Sequence, residues 1–391
     1  MVQSYHKLIL KKGKDKPVRA HHHWIFSGAV AQKPACDDGD LVAVCAHDGT
    51  HLGYAYYNNR PSICARMLTF DARHPHDAIR DNIRAAAMLR KKFLDGTTNA
   101  YRLVHAEADR IPGLVIDIYG DYGVLQSATR GIDRLKEEIA VMLKEIVPIT
   151  ALYERSTAPA RREEGLSSIE GPLFGTVPEL VEITENDACF FVALREGQKT
   201  GFFLDQRAMR ERIRGLAAGK RVLNCFSYSG GFTIAALRGG AVAVDSVDIS
   251  APAAELLKQN LARNGFSERQ GPVYVADVFD FLRTHELAYD IIVLDPPAFA
   301  KKKADVRAAC RGYKEINYSA IKGAPSGSLV LTCSCSYYID SGLFKTVIFQ
   351  AARDAGREVQ IIGTHALACD HPINIYHPET EYLKSFLLYV T

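Results

Sequence analysis

The chain has 391 residues, 47% of them hydrophobic and 24% charged, more than one ordinary core requires, so two or three domains are expected. A formal net charge of +3 is too mild to mark a polyanion-binding protein by itself, and no apolar segment approaches the ~20 residues that span a bilayer. Nine cysteines with no Cys-x-x-Cys pair, no regular framework and no apolar leader exclude a secreted disulfide scaffold and point to a soluble protein of a reducing cytoplasm.

Basic groups gather at the start, where Lys7, Lys11, Lys12, Lys14, Lys16 and Arg19 outnumber the single acid Asp15 between Met1 and Ala20. Such a run is a solvated face or arm, or a surface that favours a phosphate backbone. From Leu8 to about Phe70, β-like pieces (Leu41 to Val44, Leu52 to Tyr57) alternate with the turn signals Asp38-Gly39-Asp40, Asp48-Gly49 and Asn58-Asn59. This pattern predicts a small β-rich module. Its His21-His22-His23-Trp24 is not read as a metal site, because neighbours on a strand point to opposite faces and do not converge on one ion. A hydrogen-bonding basic surface beside a buried Trp24 is expected instead.

Between Pro75 and Leu94 the residues Ile79, Ile83, Ala86, Ala87, Phe93 and Leu94 share one side at helical spacing, with Arg80, Arg84, Lys91 and Lys92 off it. Arg90 interrupts the stripe, which predicts an early end to burial or a stem on apolar surface with its head in water. Leu114 to Tyr119 and Gly123 to Gln126, joined by Gly120-Asp121-Tyr122, read as a hairpin. A second helix from Leu135 to Ile146 and more strand up to Val192 complete an α+β segment.

From about Phe203 helices and strands alternate, with strands near Arg221 to Cys225, Ser246 to Ile249, Val273 to Ala276, Ile291 to Leu294 and Ser328 to Thr332. The alternation predicts an α/β fold with a parallel sheet covered on both faces, and ligands bind beyond the carboxyl ends of such strands. The stretch Val222 to Phe232 runs from strand through a small turn into a helix, and Asn224, Phe226, Ser227, Ser229 and Gly230 are its candidate ligand contacts. The turn lacks both Gly-x-Gly-x-x-Gly and the Gly-Lys-Ser/Thr of a P-loop, so a cofactor without phosphates fits better, and S-adenosylmethionine is the common one. Asp248, 18 residues after Gly230, closes the next strand where a carboxylate can take both ribose hydroxyls, with Ile249 beside it. Asp277, with Val278, ends the strand after that; it either reads the adenine amino group or caps the helix that follows.

Asp295-Pro296-Pro297-Ala298-Phe299 ends a fully apolar strand, and its prolines stiffen the turn that holds the carboxylate. Amino-group methyltransferases place an aromatic directly after Pro-Pro to stack on a flipped base; here Ala298 has that place and Phe299 is one step on. Downstream, Leu329 to Thr332 runs into Cys333-Ser334-Cys335-Ser336. Carbon 5 of a pyrimidine becomes nucleophilic only after a thiolate adds at carbon 6, so a cysteine at the strand end next to a methyl donor points to covalent pyrimidine methylation. Cys333 and Cys335 face the same side of an extended strand, and periodicity does not choose between them. Position favours Cys335, which lies further toward ligand, with Asp295 hydrogen-bonded to the base edge.

These blocks together resemble the large-subunit 23S ribosomal RNA methyltransferase I family, cytosine carbon 5 methyltransferases that use S-adenosylmethionine. The resemblance runs through His23 to Val30, Arg102 to Leu114, Gly201 to Arg207, Ser227 to Phe232, Asp295-Pro296-Pro297, Arg311 to Lys314, Ser334-Cys335-Ser336, Asp370-His371-Pro372 and Tyr382-Leu383-Lys384. It implies a PUA RNA-binding domain over 1–72, an α+β middle domain over 73–185 and a Rossmann-like class I methyltransferase domain over 186–391. It places the catalytic thiol on Cys335, adds Asp205 of the Gly201 to Arg207 block to the cofactor set, and implies 23S ribosomal RNA or a large-subunit assembly intermediate as partner. The sequence allows a homodimer. Ala298 stands where the family commonly has Lys, and where other cytosine carbon 5 methyltransferases carry a cysteine that helps release product, so release is expected to use another base or Cys333. Two rival functions are an RNA methyltransferase that modifies an exocyclic amino or purine nitrogen without a covalent step, and a non-catalytic RNA-binding assembly factor.

Overall fold

The computed structural model describes residues 5–365 and 367–391; the first four residues of the basic amino-terminal run lie outside it. The chain forms two units. One contains the described residues up to Ile183 with Ala193–Gly201 and Cys369–Thr380, and the other contains Thr184–Val192, Phe202–Ala368 and Glu381–Thr391.

The first unit opens with six strands: β1 (His6–Leu10), β2 (Trp24–Phe26), β3 (Val30–Gln32), β4 (Leu41–Cys45), β5 (His51–Tyr57) and β6 (Ile63–Met67). They form one sheet in the order β2-β6-β5-β4-β1-β3, antiparallel except where β1 runs parallel to β4. The alternation read in Leu41 to Val44 is the pleat at work: Val42 and Val44 turn inward onto Leu8, Leu10, Ala55 and Met67. Gly53 is required in β5, since its φ is +138° and a Cβ there would come within 2.2 Å of the Thr69 carbonyl oxygen.

The strand argument for the three histidines does not hold, because all three precede β2. His21 sits in a left-handed turn at φ 62°. His22 stacks on His377 with ring centroids 4.4 Å apart, and both approach Glu379, at 3.6 Å from His22 Nε2 and 2.6 Å from His377 Nδ1. The ligand-type atoms of these three lie within 4.8 Å of one another. The Trp24 amide donates to His22 Nδ1 at 3.2 Å, and within the group only His377 is hydrogen-bonded to Glu379, His22 standing at ion-pair distance from it. Trp24 is only partly buried, and its indole N–H donates to Glu107 at 2.9 Å.

A second sheet follows, built from β7 (Ala100–His105), β8 (Leu114–Tyr119), β9 (Tyr122–Ser127), β10 (Ala151–Ser156) and β11 (Ile169–Phe174) in the order β11-β10-β9-β8-β7. β8 and β9 form the expected hairpin, with Tyr119 opposite Tyr122 across Gly120-Asp121. The helices Pro75–Phe93 and Arg130–Ile146 bury Ile79, Ile83, Ile132, Leu135 and Ile139 in the same core as Ile116 and Leu125. Each such side chain contributes roughly 1.5–3 kcal/mol of transfer free energy.

The reading of Arg90 is corrected. Its guanidinium is buried and grips both oxygens of Asp109, at 2.6 and 2.8 Å, while donating to the carbonyls of Arg102 and Asp370. The arginine therefore does not end the buried face; four hydrogen bonds from its guanidinium take the place of water. Phe93, assigned to the apolar side, is 63% exposed at the helix end.

β12 (Val181–Glu185) and β13 (Ala188–Val192) form a two-stranded sheet. The second unit is built on β14 (Arg221–Cys225), β15 (Ala243–Asp248), β16 (Val273–Val275), β17 (Ile291–Leu294), β18 (Ser328–Ser334), β19 (Val359–His365) and β20 (Lys384–Val390), ordered β16-β15-β14-β17-β18-β20-β19. The five strands read from sequence are mutually parallel. β20, which was not read as a strand, enters antiparallel to β18 and β19. Pairing with it extends β18 two residues past the expected Thr332, through Cys333 opposite Ser385 and Ser334 opposite Lys384.

Candidate active site

Register decides what meets at the carboxyl edge of this sheet. Cys225 lies opposite both Val247 and Leu294, and Leu294 lies opposite Thr332. The next residues along these strands, Phe226, Asp248, Asp295 and Cys333, therefore form a row at one edge, and Cys335 follows just beyond it.

The turn after β14 is wound tightly. Phe226 and Tyr228 adopt φ of 58° and 45°, and Gly230 follows at 87°, an accumulation of left-handed residues that is characteristic of functional sites. A Cβ on Gly230 would stand 2.7 Å from Leu257 Cγ. The Ser227 amide donates to Val247 O at 3.0 Å and the Gly230 amide to Ser227 O at 2.9 Å. The Ser227 and Ser229 hydroxyls are buried, and neither has a protein hydrogen-bond partner among the described residues. Two orphaned polar atoms in a close-approach turn are what a polar ligand would satisfy. Asn224 lies beneath the turn, its amide donating to Thr233 Oγ1 at 2.9 Å, in a chain that continues to Ser246.

Asp248 accepts the Tyr228 amide at 2.8 Å and the Ser250 amide at 2.9 Å, one on each oxygen. A carboxylate with both oxygens so fixed still offers lone pairs to a diol. Ile249 lies outside the strand in which it was expected and is 71% exposed, an apolar side chain placed to cover a flat ring. Asp277 performs its capping role, accepting the Asp280 amide at 3.1 Å. Val278, the first residue of that helix, is buried. These donors, acceptors and one apolar cover fit the nucleoside and amino-acid ends of S-adenosylmethionine.

Asp295 emerges from β17 and accepts from Gln206 Nε2 at 2.8 Å. Asp205, the neighbour of Gln206, accepts the Tyr382 hydroxyl at 2.6 Å, which joins two of the sequence blocks. Phe299 packs on Tyr313 with ring centroids 4.6 Å apart.

The two cysteines are not equivalent, because β18 ends between them. Cys333 is wholly buried; burial first, and the Asp295 charge second, hold its thiol well above the ordinary range. Cys335 has left the strand and is partly exposed, with Sγ 3.9 Å from Pro296 O. Its flanking serines build the turn: Ser336 Oγ accepts the Ala300 amide at 3.1 Å and sits 3.0 Å from the Tyr313 hydroxyl, while Ser334 Oγ accepts the Ser336 amide at 3.4 Å. Lys384 donates to the carbonyls of Ser336 and Tyr382, each at 2.7 Å. Burial lowers its pKa, and the negative form of Cys335 opposes that shift. Gln206, Tyr313 and Lys384 were visible in the sequence only as members of recurring blocks; nothing in their own spacing marked them.

Among the described residues, which include all nine cysteines, no disulfide forms, and no helix is long and apolar enough to cross a membrane.

Known proteins resemble this chain along nearly its whole length. Residues 8–70 match the PUA-like domain family and residues 161–351 the S-adenosylmethionine-dependent methyltransferase family. The chain is 39% identical over 392 residues to ribosomal RNA large subunit methyltransferase I of Alteromonas mediterranea, covering 98% of this chain and 99% of that protein. It is 40% identical to the protein of the same name from Aeromonas salmonicida, over 97% and 98% of the two chains. Among solved structures it is similar to a methyltransferase candidate complexed with SAH, at a TM-score of 0.84 and 26% identity over 98% of this chain and 99% of that one. A candidate S-adenosylmethionine-dependent methyltransferase from Streptococcus mutans gives a TM-score of 0.83 and 25% identity at the same coverage. S-adenosylmethionine is thus the cofactor, the fold is a PUA-like domain followed by a methyltransferase domain, and the chain belongs to the ribosomal RNA large subunit methyltransferase I family.

Proposed function

We propose that the protein methylates carbon 5 of a cytosine in large-subunit ribosomal RNA through a covalent adduct with Cys335. The observation that carries this reading is the partly exposed Cys335 thiol, 3.9 Å from Pro296 O, on the same sheet edge as Asp248 and Asp295. Ribosomal RNA as substrate is drawn from the names of the full-length relatives. The division of labour is 1–72 and 73–185 for RNA and fold support, and 186–391 for cofactor and chemistry.

Asp248, Ser227, Ser229, Gly230, Ile249, Asp277, Val278, Phe226 and Asp205 would hold the cofactor or shape its pocket, with Asn224 supporting the turn from below. When bound, S-adenosylmethionine supplies an electrophilic methyl group. Cys335 as thiolate would add to carbon 6 of the extruded base, making the electron pair of the 5,6 double bond available at carbon 5; the new carbon–carbon bond would form there as the sulfonium–methyl bond breaks, its electron pair staying on the sulfur of the departing thioether. Asp295, held by Gln206, would face the base edge and, in its protonated form, give its proton to ring nitrogen 3 as addition places negative charge there, taking it back when the thiolate leaves. Loss of the carbon 5 proton to a base then expels the thiolate and restores the double bond. Cys333 is poorly suited to take that proton, because its buried thiol stays protonated and a protonated thiol is not a base.

Extrusion costs a few kcal/mol, least for a base that is already unpaired, which favours naked or partly assembled RNA. The chemistry needs a reduced thiol and so suits the cytoplasm. Phe299 stands one residue beyond the position that amino methylation uses and packs against Tyr313, which favours the covalent reading. Incubation with cofactor and large-subunit RNA containing 5-fluorocytosine tests the proposal. The fluorine cannot leave as a proton, so a denaturation-resistant adduct at Cys335 is expected; product formation without an adduct would overturn the covalent route.

A further inference from the structure

In the first unit, a cavity of about 440 Å³ opens between the end of β6 and the segment Ile373–Tyr376, within the size range of ligand pockets. Its aromatic wall is graded. His21 stacks on Phe70 at 4.7 Å and 18° between planes, and Tyr376 lies 5.5 Å from the same His21 ring, tilted by 35°. Tyr376 is 57% exposed and its neighbour Ile375 87%, a large apolar surface to leave in water with no described partner on it.

Two wall residues are held in left-handed backbone, His21 and Arg110, each at φ 62°. Neither is glycine; Arg110 is the left-handed cap that ends the short helix Ala106–Asp109, which fixes the direction in which its side chain leaves. Arg110 has no acidic partner among the described residues, whereas Arg73 on the same wall is paired with Asp71 and Asp81. The exposed Lys16, and Arg19 paired with Asp15, precede His21 along the chain.

We propose that this cavity is a binding subsite for an unpaired nucleotide of RNA, its base continuing the Phe70–His21–Tyr376 stack and its phosphate meeting the Arg110 guanidinium. Flat rings that stack, one unpaired cation and adjoining basic residues match a nucleotide better than a peptide, which would use an open sheet edge or a continuous apolar groove. The inference rests on the reading that the substrate is RNA, and it extends that reading to a place outside the methyl-transfer site, where a flanking unpaired residue is held.

The test is fluorescence anisotropy of the full chain with a labelled single-stranded RNA of about twelve nucleotides and with a duplex of equal length. Tyr376→Ala is expected to weaken single-strand binding about tenfold while Tyr376→Phe, which keeps the ring, stays within about twofold of the parent. Arg110→Gln is expected to lower the salt dependence by about one phosphate contact. His21→Asn, which tolerates the left-handed turn, supplies a stack-removing variant that keeps the backbone. Calorimetry with S-adenosylmethionine, expected to be unchanged in all four, confirms that they are folded. Equal single-strand affinities across the set, or duplex bound as tightly as single strand, would overturn the subsite. The 5-fluorocytosine adduct measured on the same proteins separates this result from the fate of the catalytic proposal: an adduct with unaltered binding removes the subsite alone, and weakened binding without an adduct removes the covalent chemistry alone.

Discussion

The Sγ of Cys335 stands 3.9 Å from the carbonyl oxygen of Pro296, so the loops that leave two adjacent parallel strands are in contact at their tips. Parallel pairing of β17 with β18 brings this about: Leu294 is opposite Thr332, and the Pro-Pro turn on one side meets the Ser-Cys-Ser turn on the other. The cysteine is held by both turns rather than by its own strand.

Replacement of each cysteine separates their roles. Cys335→Ala is expected to lower turnover more than about a thousandfold, because carbon 5 loses its activation, with S-adenosylmethionine affinity unchanged. Cys333→Ala, which removes a wholly buried thiol, is expected to cost stability, about 1–2 kcal/mol, and little rate. Single-turnover methylation of RNA by the two variants checks this; a Cys335→Ala enzyme that still makes 5-methylcytosine would exclude the covalent mechanism.

Gln206 anchors Asp295 through a 2.8 Å bond. Gln206→Leu keeps the volume and removes the donor, and bonds to charged groups contribute about 1.5–3 kcal/mol. A ten- to hundredfold drop in kcat/KM with cofactor affinity retained is the expected outcome. A variant with normal kinetics and a lower Tm would assign Gln206 to the fold alone.

How far the sequence disclosed this site depended on the range of the interaction. The five parallel strands were legible because apolar runs such as Ile291–Leu294 are buried on both faces and carry their pattern locally. β20 was missed, although Phe386, Leu387 and Leu388 are equally apolar, because no turn signal or helix alternation framed it as another unit. Missing β20 hid the extension of β18 and the position of Lys384. Arg90 was misread for a related reason: Asp109, which pairs with it, lies 19 residues away, and helical periodicity carries no information about a partner on another element. The positions of Asp248 and Asp295 at strand ends were legible because the alternation of helix and strand fixes where each parallel strand stops.

Lys384 donates one hydrogen bond to the turn around Cys335, at the Ser336 carbonyl, and one to the Tyr382 carbonyl, and its charge interacts with the negative form of Cys335. Lys384→Met removes the bonds and the charge, so the thiolate loses its cation and the acid limb of the kcat/KM profile is expected to move to higher pH. Lys384→Arg restores the charge and should return the limb toward its original place. A lower Tm in the Met variant with the limb unmoved would leave Lys384 only a structural role.

His23 sets a pH limit on the first unit. Its Nδ1 is bonded to Met67 O at 2.8 Å, and burial is the main cause that lowers its pKa from 6.5 to about 4. The folded state therefore binds the proton less readily than the unfolded chain, and unfolding takes up protons once the pH falls below 6.5. Stability from this residue is fully present above pH 6.5 and is lost as the pH falls toward 4, by roughly 3 kcal/mol at most. His377, also lowered chiefly by burial, acts in the same direction. Urea unfolding between pH 7 and pH 4.5 should show a falling midpoint for the parent protein and a shallower fall for His23→Gln, which can donate the same bond but does not titrate. Parallel slopes in the two proteins would remove His23 as the origin of the acid sensitivity.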